Sequence, residues 1–217
     1  MLEKLNIKVH LATKKGMAIE LLLFFGIGVS MLPMWITAPL MILISIVSME
    51  VRKIEWHEIG FAFKYFTIKN IIIGLGVAGI YHFVDLYAVQ LIADKFAPSH
   101  ISEVFDMEKS IPKLILGLVA SWTTAAFFEE ILFRGYLICR LIDLMGDKIV
   151  TRIVIVLLNG IIFGFVHAYQ GAHGMICTGI IGALQAIVFF AAGKKLAIPI
   201  IAHGAFDTIG FTYLFLG

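Results

Sequence analysis

Charge is what this sequence has least of. Only 15% of its 217 residues are Asp, Glu, Lys or Arg, where a soluble domain carries about a quarter. Long polar linkers, low-complexity tracts and internal repeats are missing too. No basic tract is interleaved with aromatics, so the chain shows no electrostatic footprint for nucleic acid. Cysteine is nearly absent. Cys139 and Cys177 both fall in apolar stretches without metal-type spacing. Two thiols are too few for a disulfide framework, and they read as small buried apolar residues.

What is there instead is hydrocarbon: 60% of the residues are hydrophobic, gathered in long blocks. Such blocks are the signature of helices that cross a bilayer. The expected fold is therefore all-α, a polytopic transmembrane bundle of about seven (seven to eight) spans. They are placed near 17–33, 35–49, 70–93, 113–140, 150–168, 174–193 and 196–216. The first block has no small-residue cleavage site after it and reads as a retained span. The second is short and holds Pro39, so it is expected to kink or cross only in part. The fourth is too long for one straight crossing and is expected to tilt or to begin at the surface. The connections 50–69 and 94–112 are amphipathic enough to lie on the membrane, with Trp56, Phe61, Phe63, Tyr65 and Phe66 as interfacial anchors. The chain divides into N-terminal helices and interfacial segments (1–112) and a four-helix C-terminal core (113–217).

Lysine and arginine orient this bundle. With the N-terminus in the cytoplasm, 13 of the 17 basic residues fall on the inner side: Lys4, Lys8, Lys14, Lys15, Arg52, Lys53, Lys64, Lys69, Arg140, Lys148, Arg152, Lys194 and Lys195. Lys95, Lys109 and Lys113 fall outside, and Arg134 lies within a span. That asymmetry is the positive-inside pattern. The small size and lack of soluble segments suit a multi-pass protein of a bacterial or archaeal cell membrane.

An ionisable group in the middle of a bilayer costs several kcal/mol, so each one is a functional suspect. Glu129, Glu130, Arg134, His167, His203 and Asp207 lie on spans four, five and seven, with Glu20, His82 and Asp85 nearer spans one and three. Glu130 and Arg134 are four apart with the acid first, the favoured order for a helical ion pair. Glu129, turned about 100° away on an α-helix, is left as a carboxyl without that partner, a candidate general base or acid. The rival for this trio is a polar knot that only locks helices together. His203 and Asp207, also four apart, share one helix face. An aspartate there can orient the imidazole, or both can act as ligands or donors. His167 sits four residues after Phe163 at a helix end. His173 and Gln185 read as loop and packing groups, and His82 and Asp85 either line the cavity or, as favoured here, sit near its outer interface.

Three patches carry a resemblance: Glu129-Glu130-x-x-x-Arg134, Phe163-x-x-x-His167 and His203-x-x-x-Asp207. In this order on successive apolar helices they resemble the CPBP family of intramembrane proteases, the CAAX-processing and bacteriocin-immunity (Abi) membrane enzymes. The resemblance spans about residues 113–217. It implies an endopeptidase acting on a membrane-associated peptide or protein. Glu129 with His167 would activate water, and His203 with Asp207 would stabilise the oxyanion, while Glu130, Arg134 and Phe163 would support them. It implies no cofactor. The last position is asparagine in the CAAX enzymes and Asp207 here, so Asp207 can instead orient His203 or bind a metal, with zinc as the alternative cofactor. Glu129 stands about a third of the way down its expected span and His167 near the outer end of the next, which places the site in the outer half. The CAAX enzymes of the endoplasmic reticulum face the cytosol. Prenylated CAAX proteins, peptide pheromones and bacteriocin precursors all stay open as substrates, and the sequence does not read out an oligomeric state.

The zinc, serine and aspartyl signatures of other intramembrane proteases (His-Glu-x-x-His, Gly-x-Ser-x-Gly, Gly-x-Gly-Asp) are absent from the sequence. Gly74-x-Gly76-x-x-Gly79, with Asp94 twenty residues after its start, matches the dinucleotide pattern. It lies inside an apolar span with no strand before it, so close helix packing is the expected reason for its glycines. Gly160 and Gly164 read the same way. Two rivals to the peptidase are a non-catalytic immunity or scaffold protein that binds a peptide, and a proton-coupled transporter.

Overall fold

A computed structural model describes residues 13–105 and 109–217; Lys4 and Lys8 lie outside the described residues. Helix α1 runs Lys14–Gly28, α2 Met34–Arg52, α3 Ile68–Ala93, α4 Ile111–Met145, α5 Ile149–Val166, α6 Gly171–Ala191 and α7 Ala197–Leu216. Among the described residues six of these, α2 to α7, are long and apolar enough to cross a membrane. The remaining one, α1, is equally apolar but has 15 residues. The expectation for the first two spans is thereby reversed: α2 continues through Pro39 for 19 residues, and α1 is the short one.

Local chemistry sets the ends. Thr13 and Thr67 accept the N–H groups of Gly16 and Asn70, which caps α1 and α3. Gly146 (φ +86°) ends α4 in a conformation that a side chain would strain. Two helices depart from α winding. α3 takes one π turn at Asp85–Val89, and α4 is wound with i→i+5 bonds over Ser121–Leu137. Short π insertions are frequent at functional sites, and both stretches border the cavity described below.

α5 packs on α6, and α7 lies against α3 and α4. Missing side chains let the backbones close: a Cβ on Gly160 would stand 2.7 Å from the Gly179 carbonyl oxygen, and one on Gly164 2.5 Å from that of Met175. In the Gly74 motif only the first glycine is packed, against Ile201 of α7; Gly76 and Gly79 face open space. Packing therefore explains one of those three glycines. Gly164→Ala is expected to destabilise the bundle by about 1–3 kcal/mol through overpacking. Gly76→Ala, in open helix, is expected to stabilise by about 0.5–1 kcal/mol. Chemical unfolding in detergent reads both; equal effects would refute the assignment.

The 50–69 connection does not simply lie on the membrane. Ile59 is fully buried, and the Gly60 carbonyl accepts the Leu196 N–H at 2.9 Å. Trp56 and Phe63 point outward, while Phe61 packs edge-on against Trp56, Phe63, Phe66 and Phe127. At this end Asp147 binds Arg152 (2.6 Å) and Lys194 (3.1 Å), whose hydrogen bonds hold its carboxyl down at about 2. Lys64 and Lys195 both approach the Tyr65 ring. Basic residues from two connections and the first turn of α5 thus share one end of the bundle.

Deeper in, Glu20 of α1 pairs with Arg52 of α2 at 2.6 Å and accepts Ser48 Oγ at 2.7 Å and the Tyr136 hydroxyl of α4. All four side chains are largely buried. Glu20 therefore ties the first two helices to α4.

Candidate active site

The hairpin of α4 and α5 decides which polar groups meet. Counted from the Asp147 turn, Glu129 lies almost as far back along α4 as His167 lies forward along α5. The two side chains thus sit at one depth. Glu129 stands near the middle of the 35-residue helix rather than a third of the way down.

Glu129 Oε2 and His167 Nε2 are 4.0 Å apart, and that carboxylate oxygen has no hydrogen-bond partner among the described residues. The other imidazole nitrogen, Nδ1, is 2.7 Å from the Phe163 carbonyl. A carbonyl only accepts, so Nδ1 carries the hydrogen and a neutral ring turns a bare Nε2 toward Glu129. Two acceptors then face each other across a gap too wide for a direct hydrogen bond. This also accounts for the spacing of the Phe163–His167 patch: one turn of helix brings the carbonyl under the ring.

Glu130 points the other way and is fully buried. Its Oε1 accepts Arg134 Nη1 at 2.9 Å and His203 Nδ1 at 2.8 Å, with Gln185 Nε2 at 3.4 Å. Arg134, likewise buried, donates to the Gly182 carbonyl at 3.0 Å and lies 4.3 Å from the centre of the Phe163 ring. Phe163 therefore works at both ends, carbonyl on His167 and ring on Arg134. Gly182 is small because a Cβ there would meet that ring at 2.8 Å.

His203 shows a link that the sequence did not. Its close partner is Glu130; Asp207 Oδ2 stands 3.6 Å from Nε2 and takes its short hydrogen bond, 2.7 Å, from Ser121 of α4. Gln185 is no mere packing group: its amide donates to the Pro199 carbonyl and leans on Glu130, and its oxygen accepts the Tyr81 hydroxyl of α3 at 3.0 Å. His82 and Asp85 line the cavity. Neutral Tyr81 and Ser121 carried no sequence signal, and Gln185 only that of a packing group, since such groups are common in apolar helices and only their partners give them meaning.

Around these groups lies a cavity of about 530 Å³. Glu129, His167, His203 and Asp207 form its polar wall, and Ile101, Phe105, Ile181, Phe206 and Phe211 are among its apolar residues. Among the described residues no three His, Cys, Asp or Glu side chains converge as a metal-ligand set, so the zinc alternative gains no support from the donor geometry.

A polytopic helix bundle with carboxylates and imidazoles from three helices around one cavity has the layout of a membrane-embedded hydrolase. Residues 111–209 match the family model described as Rce1-like, type II CAAX prenyl endopeptidase, so this part of the chain is similar to the CPBP/CAAX proteases. The match contains all three patches. No curated protein and no solved structure matches the chain.

Proposed function

We propose that the protein is an intramembrane endopeptidase of the glutamate type that cuts a membrane-associated, lipid-modified protein or peptide of the CAAX class. The observation that carries this reading is the pair of facing acceptors, Glu129 Oε2 and His167 Nε2. A water donating one hydrogen to each would satisfy both and present its lone pair to a carbonyl carbon. Glu129 is the general base, and His167 holds the water's second hydrogen. As the tetrahedral intermediate collapses, the proton held by Glu129 passes to the leaving amine.

His203 is the oxyanion donor in this mechanism. Its ring lies between two carboxylates, Glu130 at Nδ1 and Asp207 at Nε2, and acts as imidazolium: Nδ1 donates to Glu130, and Nε2 keeps a hydrogen to offer toward Asp207 and the cavity. Asp207 is a positioning group here, held by Ser121 rather than aimed as a donor. Arg134 and Gln185 hold Glu130. The working unit reaches back into the N-terminal helices through Tyr81, and no metal or other cofactor is needed for these steps. The chain sits as a multi-pass protein of the cell membrane with its N-terminus in the cytoplasm, in keeping with the basic end of the bundle.

The test is reconstitution in liposomes with a farnesylated CAAX-type peptide and its unprenylated counterpart, with products followed by mass spectrometry. Release of the C-terminal fragment from the farnesylated peptide at least tenfold faster is expected. Cleavage of neither peptide, or equal cleavage in a Glu129→Gln preparation, would refute the assignment.

A further inference from the structure

A second set of reactive side chains opens on the same cavity. Cys177 and His173 lie one turn apart on α6, both buried, and Asp94 closes the set from the end of α3. His173 Nε2 is 3.1 Å from Asp94 Oδ1, and His173 Nδ1 is 3.7 Å from Cys177 Sγ. A carboxylate accepts, so Nε2 carries the hydrogen toward Asp94 and Nδ1 keeps its lone pair toward the thiol. Thiol, base and carboxylate therefore stand in series, the order in which an oriented imidazole takes up a thiol proton.

Access separates this thiol from the other one. Cys177 lines the large cavity and also an adjoining pocket of about 70 Å³ that His173, Gln90 and Gln170 share. Cys139 is buried too, but its Sγ faces the Glu58 carbonyl at 3.8 Å and lines neither space. Packing alone would treat the two alike.

We propose that Cys177, His173 and Asp94 form a nucleophilic modification site, distinct from the Glu129 centre, for apolar α,β-unsaturated carbonyl compounds that partition from the bilayer into the cavity. The thiol proton moves to His173 Nδ1 and the sulfur adds to the β-carbon. The displaced π pair becomes an enolate, and the proton returns from His173 to the α-carbon. One S–C and one C–H bond form, one S–H bond and one C=C π bond are lost, and no oxidant is required. The adduct fills space that Glu129 and His203 also line, so the modified protein loses its cavity. Only this last consequence for turnover rests on the peptidase reading.

The experiment uses the full chain in liposomes, N-ethylmaleimide as the probe, and peptide mass spectrometry at timed intervals. Cys177 is expected to be labelled at least tenfold faster than Cys139. His173→Gln is expected to slow Cys177 at least tenfold, and Asp94→Ala several-fold. Cys139 reports on folding, because it gains reactivity if a variant opens the bundle. Should His173→Gln do so, the Asp94→Ala rate decides alone, since that side chain is mostly exposed. Equal rates for the two cysteines, or a Cys177 rate unchanged by these substitutions, would overturn the proposal. Neither readout involves peptide cleavage, so a failed peptidase assay leaves the result intact.

Discussion

Glu129→Gln is expected to abolish peptide cleavage while the bundle stays folded. The amide keeps the size and shape of the side chain but cannot take a proton. Because Oε2 has no hydrogen-bond partner among the described residues and stands 4.0 Å from His167, the substitution breaks no hydrogen bond at that oxygen. General-base catalysis contributes about 10²–10⁴-fold, so kcat should fall by at least about 10²-fold, with KM changed only a few-fold and the unfolding midpoint nearly unmoved. The same variant separates the rivals. A scaffold that only binds peptide would have no turnover to lose, and a proton-coupled carrier would show flux in liposomes without a cleaved product. Retained cleavage within tenfold of the parent would remove Glu129 from the mechanism.

The neighbouring carboxylate should behave in the opposite way. Arg134→Met takes the guanidinium from fully buried Glu130, leaving it His203 and Gln185, and strips a donor from the Gly182 carbonyl. Breaking a buried pair on one side costs about 3–5 kcal/mol, enough to unfold much of the population in detergent. Replacing both residues, Glu130→Met with Arg134→Met, removes the stranded charge, and most of the stability is expected to return. Activity is not expected to return with it, because His203 Nδ1 then lacks its 2.8 Å acceptor. Chemical unfolding and the cleavage assay on the three proteins check this. A double variant that cleaves normally would show that Glu130 is only a brace for the helix.

The sequence showed the chemistry more clearly than the architecture that aims it. Charges in hydrocarbon are conspicuous, and the i, i+4 spacing of Glu130 and Arg134 was enough to pair them. Their second partners were invisible: His203 reaches Glu130 across 73 positions, and Tyr81 reaches Gln185 across 104. Hydropathy located the helices but not their ends. Charges at Lys113, Arg140 and Asp143 interrupt it, yet α4 runs through all of them from Ile111 to Met145, and π winding leaves no side-chain signature, since it is a choice of backbone acceptor. The glycines at 76 and 79 looked like 74, yet only a neighbouring helix tells a contact from a bare face. Ile59 and Gly60 were hidden for a similar reason, because their anchorage depends on the far connection before α7.

Tyr81 has one more implication. The stretch recognised by the family model begins at residue 111, whereas the hydroxyl that engages Gln185 comes from α3, upstream of it. A graft that moved only residues 111–217 onto foreign leading helices would carry every proton-handling group and still arrive with one amide unsupported and one side of its chamber rebuilt. Substrate preference is thus open to revision through the front of the chain, by exchange of whole helices, provided that a hydroxyl is returned to that single point.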